Sequence, residues 1–216
     1  MAVDDLEKTL FAAADKMRGS VPVSDYQYVA LGLIFLMYIS EAFEIKHAEL
    51  EADQYADPED KDEYAAENIF WVPLEARWSY LAANAHSPVI GKLIDTAMRL
   101  IEEENRETLD GVLPTIFSNA TIPQEVLSRL IDQFTNDIKF QGDARDFDLM
   151  GRIYEYFLGE FAGSQGKGGG EFYTPPSIVR TLVEMLKPTE GNAYDPCCGS
   201  GGMFVQSGKF LKEHQG

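Results

Sequence analysis

The sequence predicts a mainly α-helical protein: an N-terminal helical bundle followed by the first part of an α/β unit. Apolar residues recur at helical spacing through the first two-thirds of the chain, and no convincing hairpin signal interrupts them. From Pro175 the pattern changes to helix, strand, glycine turn and helix. With 216 residues, of which 45% are hydrophobic and 12% aromatic, the chain can fill a packed core, so we expect a globular protein.

The bundle is expected to open with two helices. The first carries Leu6 and Leu10 on one face and stops at Gly19. Ser24 is the candidate N-cap of the second, which runs through the apolar segment 29–39. That segment is about half of the roughly 20 residues that span a bilayer, so we interpret it as a central, buried helix.

Further helices are predicted downstream, separated by loops that contain proline or glycine. Trp71, Trp78 and Tyr80 leave two interpretations open, a binding groove or, as is more common for aromatics at helical spacing, part of the core. The helical segments are 58–70, 74–85, 87–105 and 123–134.

A domain boundary is predicted near residue 142, where a polar stretch interrupts the helical periodicity. One more amphipathic helix is expected over 147–162, and a glycine-rich, mobile loop follows it. The predicted domains are 1–142, a helical N-terminal domain, and 143–216, the start of an α/β domain.

The last part of the chain predicts one α/β crossover. A helix over 175–186 is followed by the stop signals of 187–191, a short strand over 192–195, a glycine turn, and a helix over 201–214. Because a sheet with a single strand is not stable alone, we expect the chain to be a fragment of a longer protein.

The charge of the chain limits its function. The formal net charge is −18, and residues 1–142 hold 11 Lys and Arg against 26 Asp and Glu. Such a surface repels phosphate backbones, which argues against a free-standing nucleic-acid binder; most charge runs are only a solvated face. The acidic N-terminus is unlike a secretory leader, and two adjacent cysteines make no disulfide framework, so we expect a cytoplasmic protein.

The glycine turn is a general device for holding a cofactor at the end of a strand. Gly199 and Gly201 fit the dinucleotide fingerprint, but Phe204 stands where its third glycine belongs. A tight turn without any ligand is the alternative for a lone glycine cluster. The glycine turn becomes a more specific indication of a cofactor site because "GEFYTPPSIV" precedes "DPCCGSGGMF" with an amphipathic helix between them.

These two motifs, together with the opening "MRGSVPVSDYQYVALGLIFLMYISEAFE", resemble the modification subunit of type I restriction–modification systems. In that family a helical N-terminal domain precedes a Rossmann-like class I N6-adenine methyltransferase domain. The resemblance covers nearly the whole chain. It implies that the full-length protein transfers methyl from S-adenosylmethionine to the N6 atom of adenine in DNA.

The resemblance also implies the cofactor-binding residues, which belong to the segments called motif X and motif I. The helix start near 200–202 offers N–H groups to the cofactor's carboxylate, Asp195 offers negative charge to its cationic part, and Phe172 offers an apolar surface. As alternatives, Asp195 only ends a strand and Phe172 is core. The implied set is Glu171, Phe172, Tyr173, Thr174, Pro175, Pro176, Asp195, Gly199, Ser200, Gly201 and Gly202.

No thiol or metal site is expected. Cys197 and Cys198 stand where the family has small residues, so we interpret both as small, buried fillers. The histidines His47, His86 and His214 are scattered and predict no metal constellation.

The family's catalytic motif, Asn/Asp-Pro-Pro followed by an aromatic residue, does not occur in the 216 residues, nor does the acidic residue expected to hold the ribose. The catalytic residues are therefore expected beyond Gly216, and this chain is expected to be inactive by itself. A single-chain adenine methyltransferase, a protein-glutamine methyltransferase and a helical interaction module remain as alternatives.

The resemblance finally implies partners. They are a specificity subunit, a restriction subunit, a second modification subunit, and DNA contacted through the complex. No membrane association is expected, because the longest apolar segment is short and interpreted as core.

Overall fold

The computed structural model confirms a mainly helical fold. It describes residues 3–15, 23–119, 121–138, 176–198 and 201–214, and the single positions 140, 149, 151, 153, 154, 156, 157 and 174. Within those residues there are helices and no strand. The chain divides into two compact units, Met1–Ile153 and Tyr154–Gly216.

Helices build both units. Those of the first unit are α1 (Val3–Asp15), α2 (Val23–Ala52), α3 (Lys61–Ala65), a 3-10 turn (Leu74–Ala76), α4 (Trp78–Ala83), α5 (Ile90–Glu104), α6 (Arg106–Leu109) and α7 (Gln124–Asp137). The second unit contains α8 (Pro176–Leu186) and α9 (Gly202–His214), and positions 154, 156 and 157 are also helical.

Helix α2 is the central helix of the first unit, as predicted. Apolar residues on its different sides, such as Leu33, Ile34 and Phe43, are fully buried. Its segment Tyr28–Ala52 is long and apolar enough to cross a membrane, but 67% of an apolar stretch of 18 residues within it is buried inside the protein. The helix begins at Val23, one residue before the predicted N-cap.

Helix α1 follows the predicted pattern, with Leu10 fully buried. It extends to Asp15, and the predicted stop at Gly19 lies outside the described residues. Helices α5 and α7 each bury one apolar face, because their apolar residues recur every three or four positions. On α5 that face comprises Ile90, Ile94, Met98 and Ile101 among others.

An aromatic cluster joins α2 to α3 and to the segment that follows α3. The rings of Phe43 and Tyr64 are stacked with centroids 4.8 Å apart, and Trp71 meets both edge-on at 5.2 and 5.1 Å. The guanidinium of Arg77 lies 4.8 Å from the centre of the Phe43 ring, and the ammonium of Lys61 lies 5.3 Å from that of Trp71. Both cations therefore face aromatic rings, an arrangement that is attractive.

Trp78 belongs to the core. It is only 7% exposed, its ring stacks on Phe134, and its indole N–H donates to Thr135 Oγ1 at 3.0 Å. Its backbone N–H donates to Ser40 Oγ at 2.6 Å, which connects α4 to α2. Of the two interpretations of these aromatic residues, the one that places them in the core is correct for Trp78. Tyr80 is half-buried.

Two predicted helices are shorter in the structure. In segment 58–70 only Lys61–Ala65 is helical, and Asn68 adopts a φ of 57°, a left-handed conformation that ends helical progression. Segment 74–85 is divided at Arg77, whose ψ of 143° is extended. The Trp78 N–H donates to Ser40 rather than to a carbonyl of the preceding turn, so a tertiary contact favours the break.

Candidate cofactor-binding turn

The second unit presents the glycine turn on a pair of packed helices, α8 and α9. Val179 and Val183 of α8 and Phe210 of α9 are its buried apolar residues among 176–198 and 201–214. A Cβ built on Gly202 lies 3.6 Å from Val179 Cγ2, so the start of α9 lies against α8. The packing of α8 thus positions the first turn of α9.

Helix α8 ends at the predicted stop signals. The N–H of Lys187 donates to the carbonyl of Val183 at 2.8 Å, and Lys187 itself has a φ of 48°. Pro188 follows, and Gly191 adopts a φ of 97°. Glycine is suited to that position because other residues adopt a positive φ only at a cost.

The predicted strand over 192–195 is absent: these residues lie between α8 and α9 and form no strand. A strand is defined by its ladder of hydrogen bonds to a neighbour, and the described residues of the second unit supply no neighbouring strand. Tyr194 is accordingly 87% exposed.

Asp195 shapes the turn that follows. Its Oδ1 accepts the N–H of Cys197 at 2.9 Å, a side-chain-to-backbone bond typical of turns. The side chain is half-buried. Asp195 therefore stabilises the turn that begins at its own position.

Gly201 links this turn to α9. Its φ is 77°, and its N–H donates to the carbonyl of Cys198 at 2.8 Å. Its own carbonyl accepts the N–H groups of Phe204 at 3.0 Å and Val205 at 3.1 Å, which starts the helix. Apart from its two chain neighbours, no described residue has an atom within 4 Å of a Cβ built on Gly201, so among the described residues the space beside its backbone is open.

The structure brings only part of the implied site together. Asp195, Gly201 and Gly202 lie on one turn, Pro176 is the first residue of α8, and Thr174 is exposed. A contributor that side-chain patterns do not indicate is the carbonyl of Cys198. The predicted residues Glu171, Phe172, Tyr173, Pro175, Gly199 and Ser200 lie outside the described residues.

The interpretation of the two cysteines as buried fillers is wrong for this structure, because Cys197 and Cys198 are both exposed. A position at the end of a strand is buried when neighbouring strands and helices cover it, and the described part of the second unit has no such strands. Over the described residues, no three His, Cys, Asp or Glu side chains are placed to hold a metal ion.

The start of α9 offers hydrogen-bond donors. The first N–H groups of any helix have no partner within that helix, and the helix dipole makes this end attractive to anions. Helix α9 has no acidic residue in its first turn and carries Lys212 and His214 in its last. A carboxylate or phosphate group is the ligand chemistry that suits its N-terminal end.

Comparison with known proteins assigns families to both parts of the chain. Residues 6–134 match the family described as HsdM N-terminal domain, and residues 145–216 match the family described as N-6 DNA methylase. The glycine turn lies inside the second match. The first match covers more than half of the chain.

Relatives of known name agree with these matches. The type I restriction enzyme MjaIX methylase subunit of Methanocaldococcus jannaschii is 39% identical over 94% of this chain and 39% of its own length. The HindI methylase subunit of Haemophilus influenzae is 40% identical over 67% of this chain and 37% of its own length. The EcoKI methylase subunit of Escherichia coli is 20% identical over 97% of the chain and 35% of its own length.

The chain thus spans less than two-fifths of the length of these three relatives, 39%, 37% and 35%. Both family models match in the order that the sequence predicts, the helical domain first and the methylase domain second. The chain belongs to the family of type I restriction enzyme methylase subunits.

Proposed function

We propose that this chain supplies the helical N-terminal domain and the start of the methyltransferase domain of a type I methylase subunit. The full-length subunit would transfer a methyl group from S-adenosylmethionine to N6 of adenine in DNA. The observation that supports this most is the glycine turn, with Gly201 at a φ of 77°, inside the N-6 DNA methylase match. The boundary at residue 142 stays a prediction; it falls between the two family matches, and the compact units divide eleven residues later, after Ile153.

The turn suits the cofactor's charged end. S-adenosylmethionine carries a methyl group on a sulfonium, which makes that methyl electrophilic. The N–H groups at the start of α9 would bind the cofactor's carboxylate, and the open space beside Gly201 lets the backbone approach the ligand closely. Asp195 would add negative charge near the cationic part while its Oδ1 maintains the turn.

The segment 171–176 is proposed as the other wall of the cofactor site. Pro176 starts α8, and α8 packs against α9, the helix that follows the glycine turn. Phe172 would cover the adenosine and Thr174 would add a hydroxyl contact. These roles rest on the family resemblance of the segment.

The outer face of α8 supports a larger α/β domain. Ile178, Leu182 and Met185 follow one another at helical spacing and are 50%, 42% and 76% exposed. In α/β proteins, helices on either side of a parallel sheet bury such faces against it. We propose that the remaining sheet of the methyltransferase domain covers this face.

The chain alone is proposed to be inactive, because its 216 residues contain no Asn/Asp-Pro-Pro-aromatic segment. We propose a cytoplasmic complex in which a specificity subunit, a second methylase subunit and a restriction subunit surround this one. The net charge of −18 supports DNA contact through that complex rather than through this chain.

The test is methyl transfer from labelled S-adenosylmethionine to unmethylated DNA in the presence of the specificity subunit. We expect label in adenine with the full-length subunit and none with the chain alone. Label in adenine from the chain alone would mean that the catalytic residues lie within residues 1–216. Label in a protein glutamine would favour the protein methyltransferase, and no transfer by the full-length subunit would favour an interaction module.

A further inference from the structure

We propose that a cleft in the first unit is a docking site for a basic segment of a protein partner. The cleft lies between the stretch that follows α3 and the junction of α5 with α6, and it encloses about 500 Å³. Its lining contains the apolar residues Ile69 and Phe70, three acidic residues, Glu103, Glu104 and Glu107, and one basic residue, Arg106. We call it the acidic cleft; methyl transfer at the glycine turn does not require it, so the proposal goes beyond the function above.

The two walls of the acidic cleft are held together by Asn105. Its Oδ1 accepts the backbone N–H of Trp71 at 3.0 Å, and its Nδ2 donates to the carbonyls of Trp71 at 3.0 Å and Ile101 at 2.7 Å. A salt bridge between Lys61 and Glu104 adds a second connection. The cleft is therefore formed before any ligand arrives, which lowers the entropic cost of binding.

The charge at the end of α5 is opposite to what helix stability favours. The last turn of α5 contains Glu102, Glu103 and Glu104 and no basic residue, although the carbonyl end of a helix favours cations. Glu102 accepts the N–H of Leu113 at 2.7 Å and Glu104 pairs with Lys61. Within the described residues Glu103 makes no ion pair.

Glu107 is likewise exposed and without an ion pair in the described part of the chain. Uncompensated unfavourable charges of this kind are expected at functional surfaces, where they complement a ligand instead of the fold. The lining stays negative despite its one basic residue, Arg106, so Glu103 and Glu107, together with the carbonyl end of α5, favour a cation in the acidic cleft.

The charge of the neighbouring segments indicates which class of partner the acidic cleft binds. Segment 49–67 contains nine acidic residues and one basic residue, and segment 102–110 contains five and one, the latter being Arg106. This field repels nucleic acid and attracts lysine and arginine side chains. The apolar surface of Ile69 and Phe70 suits an aliphatic side chain next to them, so the occupant is a protein segment that combines basic and apolar residues.

The probe for this proposal is a fluorescein-labelled ten-residue peptide in which Arg and Leu alternate, titrated against the chain by fluorescence anisotropy. We expect the double variant Glu103→Gln/Glu107→Gln to weaken binding by about tenfold or more, because two facing charges are lost. The matched control Glu75→Gln/Glu125→Gln removes the same charge from exposed positions that do not line the cleft. It should change binding by less than about twofold, as expected for screened, distant charges.

A steric pair separates the cleft from general charge attraction. Ala65→Phe places a ring in the lining of the cleft without changing charge and should weaken peptide binding, whereas Ala66→Phe, one residue outside the lining, should not. Both alanines are exposed, so neither change is expected to disturb the core. The proposal would be overturned if the Glu103/Glu107 and Glu75/Glu125 double variants lost peptide affinity equally. It would also be overturned if Ala65→Phe bound the peptide as tightly as the unchanged chain.

The stability of Glu103→Gln gives an independent readout. If Glu103 serves a partner and not the fold, its replacement removes an unfavourable interaction with the end of α5 and raises the thermal midpoint of the chain. A lowered midpoint would assign Glu103 a structural role and contradict the proposal. Binding of a DNA duplex in preference to the peptide would contradict it as well.

Discussion

The carboxylate of Asp95 on α5 holds the backbone of Phe117: Oδ1 accepts the Phe117 N–H and Oδ2 accepts the Ser118 N–H, each at 2.9 Å. Asp95 is only 6% exposed, so this is a buried charged acceptor with two partners. It fixes the segment between α6 and α7 against α5. A buried N–H group of irregular backbone, such as that of Phe117, needs an acceptor of this kind because no helix or sheet supplies one.

Replacement of Asp95 by Ala is expected to lower the free energy of unfolding by about 2 kcal/mol, because the N–H of the buried Phe117 loses its acceptor at roughly 1–3 kcal/mol, whereas the N–H of the exposed Ser118 can bond to water. Asp95→Asn keeps one acceptor oxygen, so its free energy of unfolding should fall less than that of Asp95→Ala. Urea unfolding followed by far-ultraviolet circular dichroism measures both. Lys92→Ala, exposed on the same helix, is the control and should stay within about 0.5 kcal/mol; a similar loss in both positions would contradict the role of Asp95.

Gly91 approaches the same segment from one turn earlier on α5. A Cβ at Gly91 would lie 2.2 Å from the carbonyl oxygen of Phe117, a backbone atom that cannot move aside alone. Gly91→Ala should therefore cost at least about 1–3 kcal/mol of stability, the range for overpacking. The comparison is Gly32→Ala, whose Cβ would meet side-chain atoms of Pro114 and Phe117 at 2.9 and 3.0 Å. Side chains yield more easily, so a greater loss at Gly32 than at Gly91 would refute this explanation.

Tyr64 is expected to make stability depend on alkaline pH. Burial raises the pKa of its hydroxyl above the ordinary value of 10.0, and the carboxylate of Glu59 raises this pKa further. As the pH rises, the unfolded chain therefore releases this proton before the folded chain does. The contribution of Tyr64 to the free energy of unfolding is complete below about pH 10 and is lost as the pH rises above that value. Urea unfolding at pH 8 and at pH 10 to 11 measures the loss.

The variant Tyr64→Phe separates this effect from that of the other tyrosines. It removes the hydrogen bond from the Tyr64 hydroxyl to the Pro58 carbonyl, 2.8 Å long, and should cost about 1 kcal/mol at pH 8. Above about pH 10 its stability should fall less steeply than that of the unchanged chain. An equally steep fall would show that Tyr64 does not contribute.

The outer face of α8 is expected to bind hydrophobic dyes when the chain is studied alone. Leu182 and Met185 are 42% and 76% exposed, and exposed apolar patches bind such dyes. The change Leu182→Gln/Met185→Gln should reduce the fluorescence of anilinonaphthalene sulfonate. The control Leu74→Gln/Val112→Gln alters residues that are 62% and 64% exposed in the first unit. Equal reductions by both would contradict the assignment of the dye to α8.

The helices of the first unit were largely predictable because their causes are local. The apolar spacing of α5 and α7 and the apolar character of α2 are properties of the sequence itself, and the structure has helices in those places. The shortening of segment 58–70 was not predictable. It accompanies the contact of Asn105 with Trp71, 34 residues apart, and no sequence window includes both.

In the glycine turn, too, the features with a local cause were predictable and those that depend on neighbouring elements were not. The positive φ of Gly201 and of Gly191 follows from the residue type, which tolerates that conformation. The exposure of Cys197 and Cys198 did not follow from residue type, because burial depends on the elements around a position. The missing strand at 192–195 has the same cause, since a strand requires a partner.

The central claim is that the glycine turn holds S-adenosylmethionine, and titration calorimetry of the full-length subunit with this cofactor tests it most directly. Gly201→Leu should weaken binding by at least about tenfold, because leucine is strained at a φ of 77° and its side chain occupies the open space beside the backbone. Cys197→Ala, in the same turn, should bind almost as the unchanged subunit does. Normal binding by Gly201→Leu together with a loss in Cys197→Ala would contradict the claim.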